Sequence, residues 1–258
     1  MTLYEEEISM VLRLIGFVCL FLCTGCNAGS SLMKNYNVDD ASKGIITKLG
    51  KTLASNDLSN AKSLIDSEGF DINAPDKDGK TLLIASVLSE DYQNAEKILQ
   101  LGANPNLLHD DYKSKSAIGW AATYKDNSYL KLLFQYGADI NLYNSKQRTM
   151  PYPLYNAIAA DRHSNLKFLL SNGANPDVVD KAGLTPLMFA ATSGSWEMAL
   201  ILLEAGADIT FKNKWGEDAA SYIEDAGLGT TGEANQWRKK VVKFFETKGV
   251  KLDLRVSL

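Results

Sequence analysis

Apolar residues fall along this chain in short blocks at helical spacing, each closed by a glycine. In DKAGLTPLMFAATSGSWEMALILLEAGADIT, Asp180 to Thr210, the residues Leu187, Ala190 and Ala191 share one face of a first helix. Met198, Ile201 and Leu202 share one face of a second, which the spacing predicts over Trp196 to Glu204. The polar and special positions act as punctuation. Gly183 permits a tight turn, Thr185 can cap the first helix, and Pro186 suits its first turn, where the missing N–H has no partner to lose. Ser193 and Gly194 break that helix, and Gly206 ends the second in the left-handed conformation that glycine tolerates.

The closing phrase recurs as LIDSEGFDIN at Leu64, LQLGANPN at Leu99, LFQYGADIN at Leu133, LLSNGANPD at Leu169, LLEAGADIT at Leu202 and FETKGVKLD at Phe245. Its glycines, Gly69, Gly102, Gly137, Gly173, Gly206 and Gly249, are 33, 35, 36, 33 and 43 residues apart. Each helix pair is too small to bury its own apolar face, so the pairs must stack. The pattern D-x-x-G-x-T-P-L-H-x-A-A closed by G-A-D resembles the ankyrin repeat, most fully in the unit from Asp180. The unit from Asp76 keeps DKDGKTLL, the unit from Asp111 keeps Ala121 and Ala122, and the unit near Gln147 keeps Pro153 and Leu154. The resemblance implies an all-α repeat solenoid over residues 42–253, with about six repeats of helix-turn-helix joined by β-hairpin loops. The units near Ser42 and from Asn213 are atypical, as capping repeats are. Where the family has histidine in T-P-L-H, this chain has Ile84, Gly119, Tyr155, Met188 and Ser221. The family's inter-repeat histidine hydrogen bonds are therefore expected to be missing, with packing left to compensate.

Ahead of the array, LIGFVCLFLC, Leu14 to Cys23, is about half the roughly 20 residues needed to cross a bilayer, and it fits the apolar region of a secretory signal. Glu5, Glu6 and Glu7 make a poor start for a signal, whereas initiation at Met10 places Arg13 before the apolar run. Thr24, Gly25 and Cys26 resemble the bacterial lipobox, with Cys23 where leucine is usual. That resemblance implies a signal peptide over 1–25, acylation of Cys26 by palmitate-type chains, and a lipoprotein on the periplasmic side of the outer membrane. Several acyl chains, each CH₂ contributing about 0.8 kcal/mol, would hold it there. Residues 26–41 then read as the lipidated cysteine and a polar tether, and 254–258 as a short tail. Met33 offers a second start that would leave a cytosolic form without the signal.

Composition narrows the function. With 45% hydrophobic and 22% charged residues the chain is globular, and a formal charge of −4 argues against a nucleic-acid binder working through overall basicity. All three cysteines, Cys19, Cys23 and Cys26, precede the repeats, so the folded part expects no disulfide. The only histidines are His109 and His163, with no HExxH and no cysteine partner, and there is no G-x-S-x-G elbow. Gly227 to Gly232, GLGTTG, matches a dinucleotide fingerprint formally but follows a helix rather than a strand, so it reads as a long inter-helix loop. The adjacent pair Asp110 and Asp111 reads as solvated surface. The chain is thus expected to be no enzyme, with no catalytic residue, metal, cofactor or small-molecule substrate.

Surface remains. In ankyrin arrays the loop tips and the exposed side of the first helices line the binding face. By this alignment the tips carry Lys77, Lys80, Lys113, Lys115, Arg148, Lys181 and Lys214 against Asp78 and Glu217, while the aromatic residues Tyr112, Tyr124 and Trp215 supply hot-spot side chains. Removing residues 1–25 takes away three Glu and one Arg and leaves a formal charge of −2, so the basic tips are a segregated patch suited to an acidic partner. A lipoprotein signal joined to a short ankyrin array resembles the immunity lipoproteins of type VI secretion phospholipase effectors. This implies a toxic lipase as the protein partner. The alternative is an envelope scaffold or stress-protection protein serving an endogenous enzyme. A translocated effector binding host proteins is a third reading, which the lipobox disfavours.

Overall fold

The computed structural model describes residues 36–37, 39–108, 115–145, 150–225 and 232–254, and among these it contains only helices and turns. Twelve helices occur in six consecutive pairs: α1 Asp40–Ala54 with α2 Leu58–Glu68, α3 Leu82–Leu88 with α4 Tyr92–Gln100, α5 Ala117–Ala121 with α6 Ser128–Gln135, α7 Pro153–Ala159 with α8 His163–Ser171, α9 Pro186–Thr192 with α10 Trp196–Glu204, and α11 Ala219–Asp225 with α12 Glu233–Thr247. They form two compact units, one ending at Asn104 and the other beginning at Pro105.

Local chemistry sets the boundaries. Thr185 caps α9 by accepting from Met188 N–H, and Pro186 stands at its first position. Thr81 does the same for α3 through Ile84 N–H, and Ser116 for α5 through Gly119 N–H. After α10, Gly206 takes a φ of 91° and Ala207 N–H donates back to Leu202 O at 3.0 Å, satisfying a carbonyl the helix leaves free. The inward faces are fully apolar: Leu187, Ala190, Ala191, Met198 and Leu202 are all essentially inaccessible. Gly119 is glycine for packing reasons, since a Cβ there would meet Lys115 Cβ and Ser116 Oγ at 3.2 Å and Asn156 Nδ2 at 3.5 Å.

Each unit is also tied together by polar bonds between successive repeats. The residue four places after the closing glycine reaches the amide two places after the next one. Asn73 accepts from Asn104 N–H at 2.7 Å in the first unit. In the second, Asn106 accepts from Asp139 N–H, Asn141 from Asn175 N–H and Asp177 from Asp208 N–H, at 2.7 to 2.8 Å. Polar side chains from second helices satisfy carbonyls at the ends of first helices. Lys97 Nζ donates to Leu53 O at 2.6 Å, Asn165 Nδ2 donates to the carbonyls of Ala122 and Tyr124, and Arg238 donates to Ile223 O at 3.0 Å.

Three expectations need correction. The loops between repeats form no β-hairpin among the described residues: those at Asp76, Asp180 and Asn213 are turns held by a few backbone bonds and an Asx side chain. An inter-repeat hydrogen bond does exist at the histidine position, because Tyr155 OH lies 2.9 Å from Val178 O and 2.6 Å from Leu184 O in the following repeat. The end of the expected tether belongs to the first unit, since Tyr36 is buried with its OH donating to Ala74 O, while Asn37 N–H donates to Asp76 Oδ2. Cys26 and the rest of the signal and tether lie outside the described residues.

Candidate functional site

An aspartate or asparagine begins each described tip and folds it. Asp76 Oδ1 accepts from the amides of Asp78 and Lys80, Asp180 Oδ1 from those of Ala182 and Leu184, and Asn213 Oδ1 from those of Trp215 and Glu217, all at 2.8 to 3.0 Å. The glycine three residues later, at φ 78° in Gly79, 88° in Gly183 and 81° in Gly216, lets the chain turn back. Asp76, Asp180 and Asn213 are buried, so the residues between each of them and its glycine project from a fixed base.

In the first unit, Lys77 is exposed on such a tip. Lys80 is occupied locally, with Nζ 2.9 Å from Asp78 and 3.4 Å from Asp76. The Lys80 bond, followed by that from Asn37, holds the Asp78 carboxyl below the usual carboxylate range.

In the second unit, two tips meet: Gly183 backs onto Asn213 and Lys214, leaving van der Waals room for a Cβ at 3.6 and 3.9 Å. This brings together the tips that carry Lys181, Lys214 and Trp215. Trp215 is 59% exposed, the largest exposure of any large apolar side chain among the described residues, and Lys214 Nζ stands 4.4 Å above its ring. The loop beneath is braced by a triangle in which Asn213 Nδ2 donates to Glu217 and Tyr222, and Tyr222 OH donates to Glu217 at 2.6 Å. Burial, with Glu217 adding to it, pushes the Tyr222 hydroxyl up to about 12, and the same bond holds Glu217 low.

Lys115 lies at the start of the α5 repeat, half-buried, with Nζ 4.7 Å over the Trp120 ring; burial lowers its pKa. Tyr124 is placed elsewhere, past the far end of α5 in the turn into α6, with its ring edge-on to Tyr129 at 5.4 Å. It does not join the tips. Tyr112, Lys113, Arg148, His109, Asp110 and Asp111 lie outside the described residues, as does Gly227 to Thr231.

An aromatic row that the sequence reading missed runs between neighbouring repeats of the second unit, from the exposed Tyr143 to the buried Tyr155 and on to Phe189. Tyr143, 41% exposed, contacts Tyr152 at 5.1 Å, Tyr152 contacts Tyr155 at 6.3 Å, and Tyr155 contacts Phe189 at 5.5 Å. Trp120, Phe189 and Tyr222 stand one residue past the histidine position of their repeats, where the intervening repeat has Asn156, and of these only Phe189 belongs to the row, so no recurring position marked it. His163 begins α8 with Nε2 3.1 Å from Glu197, beside an open pocket of about 280 Å³ between helix ends. Among the described residues no group of three His, Cys, Asp or Glu side chains is placed to hold a metal ion.

The raised hydroxyl gives a pH prediction. Tyr222 and, in the first unit, Tyr36 both rise from 10.0 to about 12, in Tyr36 through burial and then Asp76. A phenol held neutral in the fold contributes stability that is present below pH ~10 and lost as pH rises through the folded value. Phenolate absorbance should therefore show a late phase near pH 12 that loses one tyrosine in Tyr222→Phe. A single phase at the ordinary value for every tyrosine would contradict the braced loop.

Comparison with known proteins fits this architecture. A family model described as ankyrin repeats (3 copies) matches residues 49–144 and 118–213. The chain is 39% identical over 111 residues to Protein PhlB of Serratia liquefaciens, covering 43% of this chain and 47% of that protein. It is 30% identical over 155 residues to Rabankyrin-5 of Mus musculus, covering 52% of this chain and 13% of that one. It thus spans less than half the length of either relative. Among solved structures, the ankyrin repeat domain of Bcl-3 superposes with a TM-score of 0.60 at 20% identity, over 79% of this chain and 86% of that domain. EF0377, an ankyrin repeat protein, gives 0.58 at 22% identity over 77% and 96%.

Proposed function

This chain belongs to the ankyrin-repeat family, and from that premise we propose that it is a membrane-anchored periplasmic immunity protein that binds and neutralises a type VI secretion phospholipase or lipase. Ankyrin repeats are protein-interaction modules, generally without catalytic activity of their own. The observation that carries the choice of surface is Trp215, an exposed indole on a braced loop beside Lys214 and the Lys181 tip. Large aromatic side chains held rigidly lose little entropy when a partner buries them, which is why they dominate interface energies. The lysines on the same tips favour an acidic partner and speed its approach.

The lipobox-like Thr24, Gly25 and Cys26 support the location. An inhibitor tethered to a membrane is concentrated where a lipase meets its substrate, so moderate affinity becomes effective occupancy. Covering the lipase's active-site opening, or holding its lid, needs no catalytic group on the inhibitor. It needs a rigid face of the kind the second unit presents.

The test is affinity purification of the tagged full chain from cells expressing secretion systems, with mass spectrometry of its partners. A single stoichiometric lipase is the expected result. Recovery of resident envelope enzymes instead would favour the scaffold reading.

A further inference from the structure

The last helix presents a second surface, unrelated to the tips. α12 turns Val241, Phe245 and the buried Arg238 inward, packing on α10, and no described element covers its other side. The uncovered arc carries Lys239, Lys240, Lys243 and Lys248, all exposed, with the half-buried rings of Trp237 and Phe244 along one margin. Residues three and four apart share a helix face, so Lys240, Lys243, Phe244 and Lys248 form one stripe. From Lys239 to Lys248 it runs roughly 14 Å at 1.5 Å per residue. Lys240 Nζ sits 3.7 Å from the Trp237 ring centre, and Lys248 Nζ 5.5 Å from that of Phe244. Glu246 and, in the first turn, Glu233 are the acidic residues of this helix.

We infer that this face of α12 contacts an anionic phospholipid surface. A single convex helix face has no groove to enclose a side chain, but its spread of ammonium groups matches a plane of anionic headgroups. Trp and Phe at the edge of a lysine stripe are the residues that settle at the headgroup boundary. Each lysine near such a surface contributes about fivefold to partitioning, and the attraction weakens with salt. The contact goes beyond the proposed immunity role and does not depend on it. Together with an acylated Cys26 it would supply a second, reversible membrane attachment at the other end of the chain.

The test uses full-length Cys26→Ser protein, so that acylation plays no part, and sedimentation with vesicles of phosphatidylcholine alone or with phosphatidylglycerol added. The apolar segment before Cys26 gives a background common to both vesicles, and the difference between them reads the charge-dependent contact. The inference expects phosphatidylglycerol to raise binding, and Lys239→Gln/Lys240→Gln/Lys243→Gln to remove at least a tenfold part of that rise at unchanged helical content. Trp237 emission should shift to the blue on anionic vesicles, a signal absent in Trp237→Phe, which still binds. Should the triple variant melt early, Lys243→Gln alone should lower the rise about fivefold. Equal binding to both vesicles, or a triple variant that binds like the parent, overturns the inference. So does a triple variant that keeps the vesicle contact but loses a co-purifying protein, because the face then belongs to that protein. Palmitate incorporation into the unsubstituted chain separately reads the anchor, so either idea can fail without the other.

Discussion

Tyr155→Ala is expected to lower stability by about 3–5 kcal/mol, the range for deleting a large buried aromatic side chain, and to lower the melting temperature by roughly 10 °C. Tyr155 heads the largest fully buried side chains and joins two repeats. Its ring packs edge-on against Phe189 and its hydroxyl reaches Val178 O and Leu184 O. Alanine leaves a cavity between repeats and removes the donor from both carbonyls. Tyr155→Phe separates the two effects. Leu184 O keeps a bond from Asp180 N–H, so the loss falls mainly on Val178 O, and about 1 kcal/mol is expected. Thermal and urea unfolding followed by circular dichroism read both. A phenylalanine variant as unstable as the alanine one would mean that the hydroxyl rather than the packing holds the repeats.

Trp215→Ala combined with Lys181→Glu and Lys214→Glu is expected to weaken binding of the protein partner by about 30- to 1000-fold, the effect of losing a hot spot worth about 2–4 kcal/mol. Stability should barely move, because all three side chains are exposed and none contributes to the core. The two charge reversals alone should act mainly on the association rate and flatten its salt dependence, whereas Trp215→Ala alone should speed dissociation. Titration calorimetry or surface-based kinetics against the purified partner tells these apart. A variant that unfolds at the parental temperature and binds at the parental affinity would remove this surface from the account.

Much of the fold could be read from local pattern. Asp180 to Thr210 contains the turn glycine, cap, proline and closing glycine at their expected places, and α9 and α10 begin and end where those residues put them. What the pattern did not reveal were bonds whose partners are distant in sequence. That Tyr155 substitutes for a histidine depends on where Val178 and Leu184 place their carbonyls, a property of the stacked pair rather than of either repeat. The ladder from Asn73, Asn106, Asn141 and Asp177 was visible as a recurring position, but its acceptors meet their amides only once repeats are in register. The candidate surface divided in the same way. Lys181, Lys214 and Trp215 sit on tips whose turns are set by nearby residues, so their placement was legible, while the row Tyr143, Tyr152, Tyr155 and Phe189 is made by neighbouring repeats and its assembly was not. Lys80 was picked by charge alone, and its neighbours Asp76 and Asp78 neutralise it.

The most direct test is to titrate the phospholipase activity of the lipase proposed as partner with the purified full chain. The account predicts that activity falls to background as the chain saturates the enzyme, and that the Trp215, Lys181 and Lys214 variant needs a far higher concentration to do so. Full activity of the lipase at saturating, demonstrably bound chain would contradict it.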